Sequence, residues 1–268
     1  MEVLIVGAGS MGTWVGGAVD ADVAFADVDP DAATAAADAV GGDVADLEGT
    51  DSYDIVCVAV PMAHAANAIA SHADRAERAI FDVSGVMGPP LEAMARHAPA
   101  LERASLHPLF APERAPGSIA VVRDEPGPTT DAVLEALAAR ENDLVETTAA
   151  EHDEAMESVQ AATHAAVLSF ALAAESVPKG FETPIYADLR TLAETMTEGT
   201  PRVYADIQET FDGAQSVAEA AADVAAADAD EFAALYREAA TRWHPDDGTG
   251  TGDDSSAVTG GSTGGDDR

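Results

Sequence analysis

At 268 residues and 47% hydrophobic content, the chain can form one large domain or two modest ones around a sizeable core. A formal net charge of -36 and a pI near 4.1 argue against nucleic acid or an anionic membrane as a partner. The acidity is spread along the chain, with only 13 Lys or Arg and Lys179 the single lysine, so it describes the hydrated surface of a salt-loving protein rather than disorder.

Met1–Val6 reads as a buried strand. It runs into the glycine turn Gly7-Ala8-Gly9-Ser10-Met11-Gly12 and a helix near Met11–Val19. Asp22–Ala26 is a second strand, followed by an Ala-rich helix ending at Gly41-Gly42 and a short strand at Asp43–Ala45. Asp54–Val60 is a strong fourth strand stopped by Pro61. It contains the only cysteine, Cys57, which has no internal disulfide partner and reads as a small buried residue in a reducing compartment. A helix over Ala63–Ala73 leads to a fifth strand, Ala79–Val83, and a helix opens near Pro89-Pro90. Ala104–Leu106 is a short strand ending at His107-Pro108, and strands Ser118–Val122 and Leu144–Thr147 bracket a helix around Asp131–Arg140.

Alternation of strands and helices predicts an α/β domain of Rossmann type over 1–147, a doubly wound parallel sheet with helices on both faces. After Thr147 no strand candidate remains. Thr148 and Glu151 form a capping box, opening a helix that can run to about Ser176, with Met156, Val159, Thr163, Val167, Phe170 and Ala174 along one face. Further helices are expected at Pro184–Thr197, Pro201–Thr210 and Val217–Arg242, giving an all-helical segment over 148–244. Pro245–Arg268 is Gly, Thr, Ser and Asp with little to bury, the composition of a disordered tail. The N-terminus lacks the basic and apolar regions of a signal peptide, and no run of about twenty apolar residues suggests a membrane span, so a cytoplasmic location is expected.

The glycine turn sits between a strand and a helix, the context in which G-x-G-x-x-G binds a dinucleotide. Gly7 permits the tight turn, Gly9 lets a pyrophosphate approach the backbone, and Gly12 allows close helix–strand packing. Asp27, at the end of the second strand, can accept hydrogen bonds from ribose hydroxyls. It would repel a 2′-phosphate, and no Arg or Lys follows nearby, which favours NAD over NADP. No metal site is expected. Later strand ends carry Pro61, Ser84 and His107. Ser84 and Pro61 are equally explained as turn residues. His107 is placed to take a proton from an alcohol as hydride leaves, or to pack on the sheet edge as a loop histidine; position alone does not separate the two.

Taken together these motifs resemble the prephenate dehydrogenase family of tyrosine biosynthesis, particularly its short archaeal members. The resemblance runs over about residues 1–240. It rests on the glycine loop, Asp54-Ile55-Val56 leading to Ala59-Val60-Pro61, the run Leu106-His107-Pro108-Leu109-Phe110-Ala111-Pro112, the pair His152-Asp153 with His164 twelve residues on, and Leu189-Arg190-Thr191-Leu192-Ala193. It implies NAD-dependent oxidative decarboxylation of prephenate to 4-hydroxyphenylpyruvate, or the same reaction on arogenate. His107 would be the proton acceptor, His164 would line the substrate pocket and Arg190 would pair with a substrate carboxylate. Val60 and Pro61 would lie against the cofactor. Without the resemblance, Arg190 reads as an ion-pair partner of Asp188 or Glu194, His164 as a core histidine and His152 as a structural residue near a helix start. His64, His72 and His97 read as surface residues.

The chain departs from the family at one motif. Aligned on Asp82, the serine of the family's Asp-x-x-Ser-x-Lys falls on Gly85 and its lysine on Met87; Ser84 is one position off and is the candidate to supply the hydroxyl. No fused chorismate mutase segment and no C-terminal regulatory domain is recognisable. Two other classes fit the glycine loop: a different Rossmann oxidoreductase, such as a β-hydroxyacid dehydrogenase or an imine reductase, and a non-catalytic NAD-sensing protein. The first of these usually carries a catalytic lysine on the first long helix after the sheet, whereas Lys179 lies near that helix's far end. The apolar faces of the long helices and the family resemblance together predict a homodimer.

Overall fold

Eight short apolar runs become eight strands of one sheet in the computed structural model, which describes residues 1–175, 177–178 and 180–244. Ser176, Lys179 and the predicted tail Pro245–Arg268 lie outside the described residues. The strands are β1 (Glu2–Val6), β2 (Asp22–Ala26), β3 (Asp43–Val44), β4 (Tyr53–Val58), β5 (Ala76–Asp82), β6 (Glu102–Pro108), β7 (Ser118–Glu125) and β8 (Asp143–Glu146). Their order across the sheet is β3-β2-β1-β4-β5-β6-β7-β8. Helices α1 (Ser10–Ala18), α2 (Pro30–Val40), α3 (Met62–His72), α4 (Gly88–His97) and α5 (Pro128–Ala138) connect them.

Alternation along each inner strand divides its side chains between two cores. Leu4, Val6, Val56, Val58 and Ile80 point to the α3–α4 side, where they meet Ile69 and Met94. Val3, Ile5, Ile55, Cys57 and Phe81 point to the α1–α2–α5 side with Val15, Ala33 and Leu137. Both faces are covered, which is why these strands read as continuous apolar runs. Cys57 is fully buried, as expected, and burial pushes its thiol well above the ordinary range.

The sheet is not wholly parallel. β6 and β7 pair antiparallel, so β7 and β8, parallel to each other, run against the rest. Only Leu109–Gly117 connects β6 to β7, with a single 3-10 turn at Pro112–Arg114. A parallel crossover needs a dozen or more residues, usually a helix, and this connection is too short for one.

Beyond the sheet come α6 (Ala149–Met156), α7 (Thr163–Ala173), α8 (Pro184–Thr197), α9 (Pro201–Thr210), α10 (Gly213–Ala226) and α11 (Ala229–Trp243). Thr148 and Glu151 make the predicted capping box at α6. The expected long helix from Thr148 is interrupted by one stretch of π-helix, Glu157–Ala162, joining α6 to α7. The wider turn shifts the helical phase, so Met156 and Val167 stay buried while Val159 is 56% exposed. The helix expected over Val217–Arg242 is in fact two. Asp228 starts a new one by accepting N–H bonds from Asp230 and Glu231 in a capping box.

Met1–Ala218 forms one compact unit, and Glu219 begins a second. Within the first, a small core of Val86, Met156, Ala161, Ile207 and Phe211, with Met62 against it, ties α6, the π segment and α9 to the loops after β4 and β5. No helix among the described residues is long and apolar enough to cross a membrane.

Candidate active site

The glycine turn has the form a dinucleotide phosphate requires. Gly7 has φ +104°, and a Cβ there would lie 2.4 Å from Ala59 O and 3.1 Å from Val60 Cγ1. A Cβ on Gly12 would lie 2.0 Å from Gly7 O, whereas above Gly9 nothing lies within 4 Å. The loop is therefore closed on its sheet side and open at Gly9. No side chain caps the N-terminus of α1 there, which leaves its N–H dipoles available to an anion. Asp27 braces the turn: Oδ2 accepts from Ala8 N at 2.7 Å and Oδ1 from Asp29 N at 2.9 Å. Each carboxylate oxygen keeps lone-pair capacity for a further donor. Pro61 is the N-cap of α3, directly after Val60.

At the C-terminal end of β6, His107 is 7% exposed and joins a relay drawn from the helical segment. His107 Nδ1 lies 2.8 Å from His152 Nε2, and His152 Nδ1 lies 2.8 Å from Asp153 Oδ1. Asp153 in turn accepts the backbone N–H groups of Met87 and Gly88, both at 3.0 Å, at the N-terminus of α4. These bonds assign the tautomers. Asp153 can only accept, so a neutral His152 donates through Nδ1 and accepts at Nε2. His107 then donates through Nδ1, which leaves a lone pair on His107 Nε2. Partial burial alone would raise Asp153, but the bonds from His152, Met87 and Gly88 hold it below the ordinary carboxylate range. Burial pushes His107 down to about 3, helped by the neighbouring His152 and opposed by Asp153. His107 is thus a neutral imidazole with an unprotonated base nitrogen, oriented by a buried partner and a carboxylate.

The π segment adds a group that periodicity did not reveal. Gln160 Nε2 lies 3.3 Å from His107 Nε2 and donates to it in the assigned tautomer. Gln160 Oε1 is buried and has no hydrogen-bond partner. The backbone of the segment is packed against Gly213, where a Cβ would come within 2.1 Å of Glu157 O and 2.5 Å of Ala162 N. π turns inside helices occur often at functional sites.

Sequence reasoning treated His152 as a structural residue near a helix start; it is 3% exposed and in direct contact with His107. His72, expected at the surface, is also buried, and burial lowers its pKa, with Arg75 adding to the effect. It closes α3 where Ile69 and Ala73 pack into the core. His64 and His97 are exposed as expected. Ser84 is buried, with its N–H donating to Asp82 Oδ2 at 2.9 Å. Burial lifts Asp82 to about 6; the Ser105 and Ser84 hydroxyls lie close enough to moderate this, though neither meets hydrogen-bond geometry. The residue that faces His107 is Gly85, where a Cβ would lie 3.6 Å from His107 Nε2 and 2.8 Å from Met62 Sδ.

His164 stacks edge-on against Tyr204, with ring centroids 4.9 Å apart. Both line a groove of about 490 Å³ with Leu168, Leu172, Met196 and Gln208, and burial lowers the His164 pKa. Arg190, on α8, pairs with Glu194 at 2.7 Å and with Glu182 at 3.6 Å, and none of its hydrogen bonds or ion pairs reaches the His107 relay.

No family model matches the chain. It is 31% identical over 205 residues to the 4-amino-4-deoxyprephenate dehydrogenase of Streptomyces pristinaespiralis, an alignment covering 69% of each protein. In fold it is similar to the prephenate dehydrogenase of Aquifex aeolicus solved with hydroxyphenyl propionate and NAD+, with a TM-score of 0.67 at 14% identity over 91% of this chain and 97% of that one. It is also similar to the arogenate dehydrogenase of Synechocystis, with a TM-score of 0.57 at 15% identity over 91% of this chain and 98% of that one.

Proposed function

The chain belongs to the prephenate dehydrogenase family, and from that premise we propose that it catalyses NAD-dependent oxidative decarboxylation of a prephenate-type cyclohexadiene. Prephenate would give 4-hydroxyphenylpyruvate. Arogenate and the 4-amino analogue used by the Streptomyces relative are the alternatives within the same chemistry. The observation that carries this reading is the Asp153–His152–His107 relay, which ends in an unprotonated nitrogen at the carboxyl edge of the sheet.

His107 Nε2 accepts the hydrogen of the ring substituent while hydride leaves the same carbon. Carbon dioxide then leaves the opposite ring carbon, and its bonding electrons complete the aromatic ring. The relay spreads the charge that develops on His107 toward Asp153. NAD, when bound, supplies the hydride acceptor. Gly7, Ala8, Gly9, Ser10, Met11 and Gly12 would hold its phosphates, Asp27 its adenosine ribose, and Val60 and Pro61 would lie beside it. In this reading His164 lines the pocket and Arg190 exchanges an acidic partner for a substrate carboxylate, to which its fork can bind at two points.

NADH formation measured in concentrated salt with prephenate, arogenate and 4-amino-4-deoxyprephenate tests the proposal. At least one should turn over, and NADP in place of NAD should lower kcat/KM by ~10-fold or more through repulsion at Asp27. Turnover with none of the three would reject the function.

The same reading makes the protein a homodimer joined through its helical segment. In the first unit Leu172, Phe181 and Ile185 are 80%, 77% and 76% exposed, apolar side chains that an interface through the helical segment would cover. Light scattering in concentrated salt should give twice the chain mass of 27.3 kDa; a mass of one chain would refute the dimer.

A further inference from the structure

The base nitrogen of His107 already has a partner. Nδ1 of His107 is committed to His152, and against Nε2 lies the amide nitrogen of Gln160, 3.3 Å away and donating in the assigned tautomer. A substrate must give its hydrogen to the same lone pair, and one lone pair takes one hydrogen. The amide and the substrate therefore compete for it. The loop position facing this nitrogen is Gly85, which has no side chain to take the amide's place.

Gln160 is held firmly by its backbone and loosely by its side chain. Gln208 on α9 donates through Nε2 to Ala161 O at 2.9 Å, and Thr163 Oγ1 donates to Ser158 O at 2.9 Å. The widened turn that aims Gln160 at His107 is thus clamped on either side of it. The amide itself hangs on the contact with His107, because its oxygen is buried and unpartnered, a cost that this hydrogen bond must offset. Gln160 is only half-buried, and its neighbours Ser158 and Val159 are exposed. Solvent therefore borders the side chain, and rotating into it would give the oxygen a partner without moving the clamped turn. We propose that Gln160 is an autoinhibitory plug on His107: in the empty site its amide covers the base nitrogen, and it swings aside when a substrate delivers its own hydrogen there. This inference rests on the reading above, in which His107 is the base.

The test reads the nitrogen itself, through its reaction with diethyl pyrocarbonate, which acylates unprotonated imidazole. Rates at each histidine of the full chain are followed by peptide mass spectrometry in concentrated salt at neutral pH. Exposed His64 and His97 serve as references, and buried His72 reports any loosening of the fold. Gln160→Ala, and Gln160→Asn with an amide one methylene too short, should raise the rate at His107 by ~3- to 10-fold, the equivalent of one net hydrogen bond, and leave His72 unchanged. Gln160→Glu sets a carboxylate against Nε2 and favours a hydrogen on it, so the rate should fall below that of the unaltered protein. No rise at His107 in the Ala or Asn variant, with His72 still protected, would overturn the plug. Parallel rises at His107 and His72 would also overturn it, by making Gln160 a structural residue, as would a rise with Glu equal to that with Ala. With any ring substrate that the chain turns over, Gln160→Ala should lower KM by a similar factor; a higher KM would make Gln160 a substrate contact instead and overturn the plug. If no ring substrate turns over, the proposed function fails, while the acylation rates still decide whether Gln160 covers His107.

Discussion

His107→Asn should lower kcat by roughly 100- to 10,000-fold while leaving dinucleotide affinity within about twofold, the loss expected when a positioned general base is removed. Asparagine preserves a polar side chain facing His152 but offers no basic nitrogen to the substrate. The glycine turn lies after β1, and its bracing bonds run from Ala8 and Asp29 to Asp27, none of them through His107. Binding and chemistry should therefore separate. Initial rates and a fluorescence titration with NADH measure the two independently. Unchanged turnover would remove His107 from the chemistry, and a parallel collapse of NADH affinity would show that the substitution disturbs the fold instead.

Asp153→Asn should come close to the same loss of kcat without touching a reacting atom. The carboxylate only accepts, and with a neutral His152 that fixes the direction of every hydrogen bond up to His107 Nε2. An amide that turns its NH2 toward His152 Nδ1 would make that nitrogen the acceptor. The proton of His152 would move to Nε2, and His107 would be pushed into the tautomer with hydrogen on the substrate side. Reversal of tautomer by an Asp-to-Asn change in a serine-protease triad costs ~10,000-fold, and a loss of roughly 100- to 10,000-fold is expected here.

The variant should also lose ~0.5–2 kcal/mol of stability, because Asp153 caps the N-terminus of α4 through Met87 and Gly88. Its folded pKa is depressed, so this contribution is present above the carboxylate's unfolded value and is lost as pH falls through the folded one. Thermal melts from neutral pH down to about pH 2 should show a steeper acid decline for the unaltered protein than for Asp153→Asn. Identical pH slopes would mean that the cap carries no net charge effect. Full activity in Asp153→Asn would sink the relay.

The parts of the molecule legible in the sequence are those whose cause is local. A glycine that must take φ +104°, a proline that stops β4, and the Thr148–Glu151 box each act over a few residues. Asp228 and Glu231 form the same kind of box, but they sit inside an alanine-rich helical pattern that continues on both sides, so the helix break there went unread. The reversal of β7 was also missed. Its apolar run looks the same in either direction, and only the length of Leu109–Gly117 limits the connection.

The site divides along the same line. The glycine turn, Asp27 and His107 stand at strand ends, where the pattern of the chain places them. Gln160 was hidden because a π turn breaks the helical period used to assign faces, and that turn depends on Gly213 packing against it from a later element. By itself, then, the sequence determined the eight strands, the glycine turn after β1 and the histidine at the end of β6, because propensity, turn geometry and alternation operate over short stretches. Only the tertiary structure decided which way the hydrogens point at that histidine. His152 and Asp153 lie 45 and more residues away along the chain, and packing of α6 against the N-terminus of α4 and the segments after β4 and β5 is what brings them within 2.8 Å of their partners.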